Sequence, residues 1–176
     1  MNILGYVGKS AISEEERVGI LKLIPEAGRF LEIGTLHGVT VAWWASARPK
    51  VEFVSVDPFQ AGSGTGAGDI GNWNANHRKN QYLWVGTIRT FARFKPGELF
   101  DLAFVDGDHS EKATFLDLEF CRTLVKGGQP IIVNDYGRAD VNWRLAGVTT
   151  AVDSFCEKRG YKFEIIARST IVLRKK

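Results

Sequence analysis

Apolar residues along this chain fall in short runs separated by polar turns, and their spacing changes from run to run. Residues 29–33, 51–56, 82–85, 99–105 and 129–133 are brief, nearly continuous apolar stretches, the pattern of strands buried on both faces. Helical signals lie between them. Ser13-Glu14-Glu15-Glu16 has the form of a capping box, with Ser13 as N-cap and Glu16 reaching back. It predicts a helix that turns Val18, Leu21 and Ile24 toward the core and stops at Pro25. Residues 39–47 predict a second helix, and residues 110–125 a third, closed by Gly127 and Gly128. A fourth, over residues 144–158, carries Val148, Val152 and Phe155 on one side and ends at Gly160. Residues 162–167 and 170–174 are closing strands, so near in sequence that they can pair only antiparallel.

Short apolar strands alternating with helices imply parallel βαβ units. The expected fold class is therefore α/β: a Rossmann-like three-layer αβα sandwich whose seven-stranded, mostly parallel sheet ends in an antiparallel C-terminal hairpin. The 176 residues suit one domain over 1–176, with residues 1–25 as an N-terminal helical segment. Residues 61–71 hold Gly62, Gly64, Gly66, Gly68 and Gly71, too many for a helix or strand at reasonable cost, so a loop is expected. It is either a solvated linker or, given its place after a strand's carboxyl end, a substrate lid over residues 61–80.

Composition narrows the function classes. Hydrophobic residues at 44% and charged residues at 24% fit a globular chain that buries a full core. The net charge of +3 is scattered apart from Arg174-Lys175-Lys176, which argues against a nucleic-acid face. Cys121 and Cys156 fall on predicted helices and are expected to be reduced core residues. The apolar run at 39–47 is too short to span a bilayer, and no charged leader with a cleavage site is visible, so no membrane partner and a cytoplasmic location are expected.

The candidate chemistry sits at strand ends. Gly34 closes the run Phe30-Leu31-Glu32-Ile33 where a helix follows, and Gly38 falls where that helix's free N–H groups point. Such a junction serves either a ligand or a packing-driven turn. Asp57 ends the next strand, where a βαβ nucleotide site places its ribose acid, although it could instead cap a turn before Pro58. Asp106, Asp108 and His109 follow one later strand, and Asn134 and Asp135 follow the next. Neighbouring parallel strands would set these oxygen ligands side by side, a set suited to Mg²⁺ or another hard divalent cation. Asp108 and His109 are the best candidates for a base, while an acid before Ser110 would also complement a helix dipole.

Glu32-Ile33-Gly34 with Gly38, then Asp57, then Phe100-Asp101-Leu102-Ala103-Phe104-Val105-Asp106-Gly107-Asp108-His109-Ser110, resembles the class I S-adenosylmethionine (SAM)-dependent methyltransferases. More narrowly, it is similar to the methyltransferase domain 24 group that includes the macrocin O-methyltransferases. The resemblance implies that Glu32, Gly34, Thr35, Gly38 and Asp106 serve the donor, that Asp57 takes the ribose hydroxyls, and that Thr87 and Ile88 flank the adenine. It also implies a divalent metal held by Asp106, Asn134 and Asp135. Leu36 stands where the class often has glycine, Thr87 where an acid usually meets the adenine amino group, and Asn134 where an acid is usual. The implied reaction is O-methylation of a small hydroxylated metabolite or sugar, metal-assisted or not.

Competing readings are a non-catalytic SAM- or nucleotide-binding module, a nucleic-acid methyltransferase, and an NAD enzyme. The last two lack their usual signatures, an Asp/Asn-Pro-Pro-aromatic run and a Gly-x-Gly-x-x-Gly turn. Trp73 and Tyr136 are expected to wall a substrate pocket, Trp84 to pack beside the sheet, and Trp143 to pack on a helix. One ring of Trp43-Trp44 should point inward. His37 and His77 are read as polar surface residues, with His77 facing substrate if a lid closes. A second subunit of a homo-oligomer is a further source of pocket walls.

Overall fold

The computed structural model describes residues 5–8, 10–59, 67–94, 99–138 and 146–176. Their elements follow in the order α1 (Glu14–Leu21), β1 (Ala27–Ile33), α2 (Val39–Ala47), β2 (Lys50–Asp57), α3 (Ala67–Asn76), β3 (Gln81–Val85), α4 (Ile88–Phe94), β4 (Leu102–Val105), α5 (Glu111–Leu124), β5 (Ile131–Val133), α6 (Ala146–Arg159), β6 (Tyr161–Ala167) and β7 (Thr170–Lys175). The strands form one seven-stranded sheet in the order β3-β2-β1-β4-β5-β7-β6. Pairing is parallel from β3 through β5, and β7 pairs antiparallel with both β5 and β6. This is the expected architecture.

The apolar runs become strands because both of their faces are covered. On one face Phe30, Phe53, Phe104 and Ile132 pack with Trp44 of α2 and Ile20 of α1. Trp44 meets Phe104 edge-on with ring centroids 5.4 Å apart, so it is the inward ring of the tryptophan pair. On the other face Leu31, Ile33, Val54, Val105 and Val133 pack with Phe91, Leu118, Val152 and Phe155 of α4, α5 and α6. Trp84 lies against this second cluster. Cys121 is buried and Cys156 half-buried, both as free thiols.

Several boundaries differ from the sequence reading. Residues 67–71, expected as loop, begin α3 despite Gly68 and Gly71. Tertiary contacts outweigh the glycine penalty there: Trp73 is buried against Gly38, and buried Asn76 bonds the backbone of Val7 and His37. The rest of the glycine-rich stretch, residues 60–66, lies outside the described residues, as does Trp143. The sequence reading passed over α4, a single short helix whose turn is fixed by Thr87 Oγ1 accepting from Thr90 N. The α1 capping box is present, and α1 buries Ile20 together with Glu16 and Arg17; Ile24 is buried just past its end, while Val18 is exposed.

The register positions the site. Ile33 of β1 pairs with Val56 of β2 and with Val105 of β4, and Val105 pairs with Val133 of β5. Four strands thus end level, and Gly34, Asp57, Asp106 and Asn134 emerge side by side at one edge. Between β1 and β4 the strand order reverses direction, the place where open α/β sheets form a crevice.

Candidate active site

A cavity of about 470 Å³ opens at that edge, a size that suits a nucleoside-sized ligand. Its walls include Gly34, Thr35 and Leu36 from the β1 turn, Asp57 and Pro58 from β2, Gly86, Thr87 and Ile88 from the β3 turn, and Asp106 to His109 from β4. Ala11, Ile33, Val56, Asp117, Asn134 and Asp135 complete the lining. Thr35, Gly34, Asp57, Thr87, Ile88 and Asp106 are therefore gathered as expected.

The β1 turn is built by contact with its neighbours. Gly34 has φ +82°, and a Cβ there would collide with the Asp106 carbonyl and lie 2.7 Å from Gly107 Cα. Only glycine lets the two backbones approach this closely. Leu36 follows with φ +50°, a left-handed conformation that explains why glycine is usual at this place. Asp57 fixes the turn: its Oδ2 accepts from Thr35 N at 3.0 Å and Leu36 N at 3.3 Å, and its Oδ1 accepts from Phe59 N at 2.8 Å. Asp57 thus caps the turn at Pro58 and also braces the glycine turn.

Two expected donor residues stand behind the cavity rather than on its wall. Glu32 is fully enclosed and accepts a hydrogen bond from Ser55 Oγ at 2.6 Å. Burial pushes its carboxyl up to about 8, against the Ser55 hydrogen bond. Gly38 caps α2 with φ +69°, its N–H donating to Thr35 O, and it packs under Trp73.

The acidic cluster forms at the tips of β4 and β5. His109 Nε2 lies 3.6 Å from Asp106 Oδ1 and 3.3 Å from Asp135 Oδ2. These carboxylates raise the His109 pKa to about 10, so the ring carries a proton at neutral pH. Burial holds Asp106 above the usual carboxylate range despite its neighbour His109. Asp135 takes φ +61°, a strained conformation that acidic and amide residues tolerate best. Asp106, His109 and Asp135 each offer one ligand atom, all within 4.8 Å of one another. Two carboxylate oxygens and an imidazole nitrogen so placed fit a divalent cation.

Asn134 does not present its oxygen to this cluster. Its Nδ2 donates to Asp106 Oδ1 at 3.3 Å, and its Oδ1 accepts from Thr170 Oγ1 at 2.9 Å. The amide ties β5 to the start of β7 and lies beside Asp106, while His109 adds an imidazole to the carboxylates of Asp106 and Asp135. Thr170 also contacts Glu16 Oε1, as does Ser169, so buried Glu16 links α1 to the β7 start. Asp108 stands apart, exposed, with Oδ1 accepting from Ser110 N at 2.8 Å. That bond supports the α5 start, and Asp108 also lies on the cavity wall.

The remaining expectations sort simply. Neither Trp73 nor Tyr136 lines the cavity; Tyr136 donates its hydroxyl to Asp153 and stacks near Phe163. His37 pairs with Asp69 at 2.8 Å, and His77 Nε2 lies 2.9 Å from Gln81 O with its ring beside Trp73. Asp117 was missed. The visible signal was a carboxylate on the apolar stripe Thr114-Asp117-Leu118-Cys121 of α5. No helix of the described residues is long and apolar enough to cross a membrane.

No curated protein matches the sequence significantly. Solved structures share the fold at low identity. A Staphylococcus aureus protein assigned as a caffeoyl-CoA O-methyltransferase superposes with TM-score 0.75 at 16% identity, over 95% of this chain and 86% of that one. An O-methyltransferase from Bacillus cereus, crystallised with S-adenosylhomocysteine (SAH), gives 0.66 at 19%, over 94% and 82%. The O-methyltransferase TomG of Streptomyces achromogenes, involved in tomaymycin synthesis and solved with SAM, gives 0.61 at 20%, over 94% and 82%. A family model described as a methyltransferase domain matches residues 31–136, from β1 through the tip of β5. With the strand order, the glycine turn and the acidic strand ends in place, the chain belongs to this methyltransferase domain family and has the class I SAM-dependent methyltransferase fold.

Proposed function

We propose that the protein transfers the methyl group of SAM to a hydroxyl of a small metabolite or sugar. The observation that carries this reading is the contact between Gly34 and the Asp106–Gly107 backbone. It sets the donor turn directly against the cluster of Asp106, His109 and Asp135. A donor seated on the β1 turn, with its ribose toward Asp57 and its base toward Thr87 and Ile88, would bring its sulfonium to that cluster. The neighbours crystallised with SAM and SAH support the choice of donor.

Methyl transfer from a sulfonium is an in-line displacement. The protein must orient the hydroxyl oxygen, keep water away and accept a proton. Asp106 is placed to accept it, because burial makes its carboxylate more basic than usual. The His109 cation, held between Asp106 and Asp135, faces the negative charge that develops on the oxygen. Asp108, at the cavity rim, is the alternative proton acceptor. Mg²⁺ or another divalent cation held by Asp106 and Asp135, with His109 in its neutral form, would acidify a bound hydroxyl.

Labelled SAM offered with a panel of hydroxylated acceptors, with and without chelator, tests the proposal. Asp106→Asn and Asp135→Asn should each abolish transfer, and in Asp135→Asn SAH binding should stay nearly intact. Full activity in both variants would refute the role of the cluster.

A further inference from the structure

Asp117 has no part in the mechanism above, yet it is the least satisfied charged group on the cavity wall. It sits two turns into α5, on the buried stripe it shares with Thr114, Leu118 and Cys121. Only 9% of its surface is exposed, and among the described residues no hydrogen bond or ion pair reaches its carboxyl. Burial, with the charge of Asp108 a lesser cause, pushes it up to about 7. A buried carboxyl without a donor is costly, and what it faces is the cavity.

The surroundings specify the donor it lacks. A Cβ on Gly107 would lie 3.4 Å from Asp117 Oδ2 and 3.5 Å from Ile33 Cγ2, so the carboxyl and Ile33 sit together beneath the β4 tip. Ile33, Val56, Pro58 and Ile88 give the cavity apolar walls, and Ile33, Val56 and Ile88 belong to the same packed cluster as Leu118, the residue after Asp117. Apolar walls with a carboxyl set among them suit a flat heteroaromatic ring bearing an amino group. Two other polar side chains of the wall are already engaged: Thr87 Oγ1 accepts from Thr90 N, and Asp57 accepts three backbone N–H groups.

We propose that Asp117 recognises the adenine of the methyl donor by accepting a hydrogen bond from its exocyclic amino group. This rests on the donor reading above. In its neutral form the carboxyl offers an acceptor and a donor side by side, matching the amino group and the adjacent ring nitrogen of adenine. Asp117, on α5, thereby takes the part of the acid that is absent at Thr87.

The test pairs a change in the ligand with a change in the residue. Calorimetry compares SAH with its purine analogue in which hydrogen replaces the exocyclic amino group. The wild type should prefer SAH by roughly tenfold or more. Asp117→Leu should bring the ratio close to one, and Asp117→Asn, whose amide oxygen still accepts, should keep a preference. A general packing defect would weaken both ligands alike, so the ratio isolates the contact. If Asp117→Leu does not fold, Asp117→Ala supplies the same ratio. Equal binding of both ligands by the wild type, or an unchanged ratio in Asp117→Leu, would overturn the inference and leave the donor reading standing. Failure of the wild type to bind SAH at all would remove the donor reading and this inference with it.

Discussion

His109 Nε2 stands 3.3 Å from Asp135 Oδ2, across the gap between the tips of β4 and β5. The pairing exists because Val105 and Val133 are in register, so the segments that follow them leave the sheet together. It gathers Asp106, His109 and Asp135 into the cluster proposed above to hold a divalent cation. Asp135→Asn should therefore weaken Mn²⁺ binding at least roughly tenfold, read by electron paramagnetic resonance, since one of two carboxylates is lost. Asn134→Ala should change Mn²⁺ affinity much less, because the amide turns its nitrogen to Asp106. An equal loss in the two variants would argue for Asn134 as a ligand.

Gly34 permits no side chain. Gly34→Ala places a methyl against the Asp106 carbonyl, so the β1 turn or the β4 tip must shift. SAH affinity is expected to fall by about 100-fold or more, with a loss of roughly 2 kcal/mol in stability. Leu36→Gly, at a residue with φ +50°, should be stable to within about 1 kcal/mol of the wild type. Calorimetric titration and urea unfolding of the two variants check the contrast.

Glu32 gives the fold an alkaline weakness. Its carboxyl is raised to about 8 in the folded chain, against 4.5 as the ordinary value. Between these pH values the folded state holds a proton that the unfolded state has lost, so stability falls as pH rises through that window and levels off above about 8. Glu32→Gln removes this dependence. The unfolding free energies from urea at pH 5 and pH 9 should converge in the variant by an amount on the order of a few kcal/mol relative to the wild type.

Glu16 behaves in the opposite sense. Burial alone would raise its pKa, but hydrogen bonds from Ser13, Ser169 and Thr170 outweigh it and hold the carboxyl below its usual value. Its stabilisation is present above the ordinary glutamate range and is lost as pH falls through the lowered pKa. Glu16→Gln should cost about 1–3 kcal/mol at pH 7, with the gap between variant and wild type closing in acid. Unfolding curves across acid pH read this directly.

The strands and the glycine turn after β1 were legible in the sequence because both are local signals. A parallel strand buried on two faces is a continuous apolar run, and Ile33-Gly34 or Val56-Asp57 marks where it ends. What escaped depends on partners distant in sequence. Asp57 looked like a choice between ribose contact and turn cap, yet its hydrogen bonds to Thr35 and Leu36 arise only when β1 and β2 lie side by side. Asn134 looked like a metal ligand because nothing nearby in sequence reveals Thr170, brought alongside by the antiparallel β5–β7 pair. Likewise α3 overrides its glycines through Trp73 and Asn76, whose contacts reach the β1 turn and the chain's beginning. Asp117 was visible as a carboxylate on a buried stripe, but its meaning depends on the cavity it meets.

The edge formed by Gly34, Asp57 and Asp106 is the proposed SAM site, and calorimetric titration of the purified chain with SAH, and separately with NAD⁺, tests that assignment. One-to-one binding of SAH is expected, sharply weakened by Gly34→Ala, with no binding of NAD⁺. Binding of NAD⁺ with no heat from SAH or SAM would overturn it.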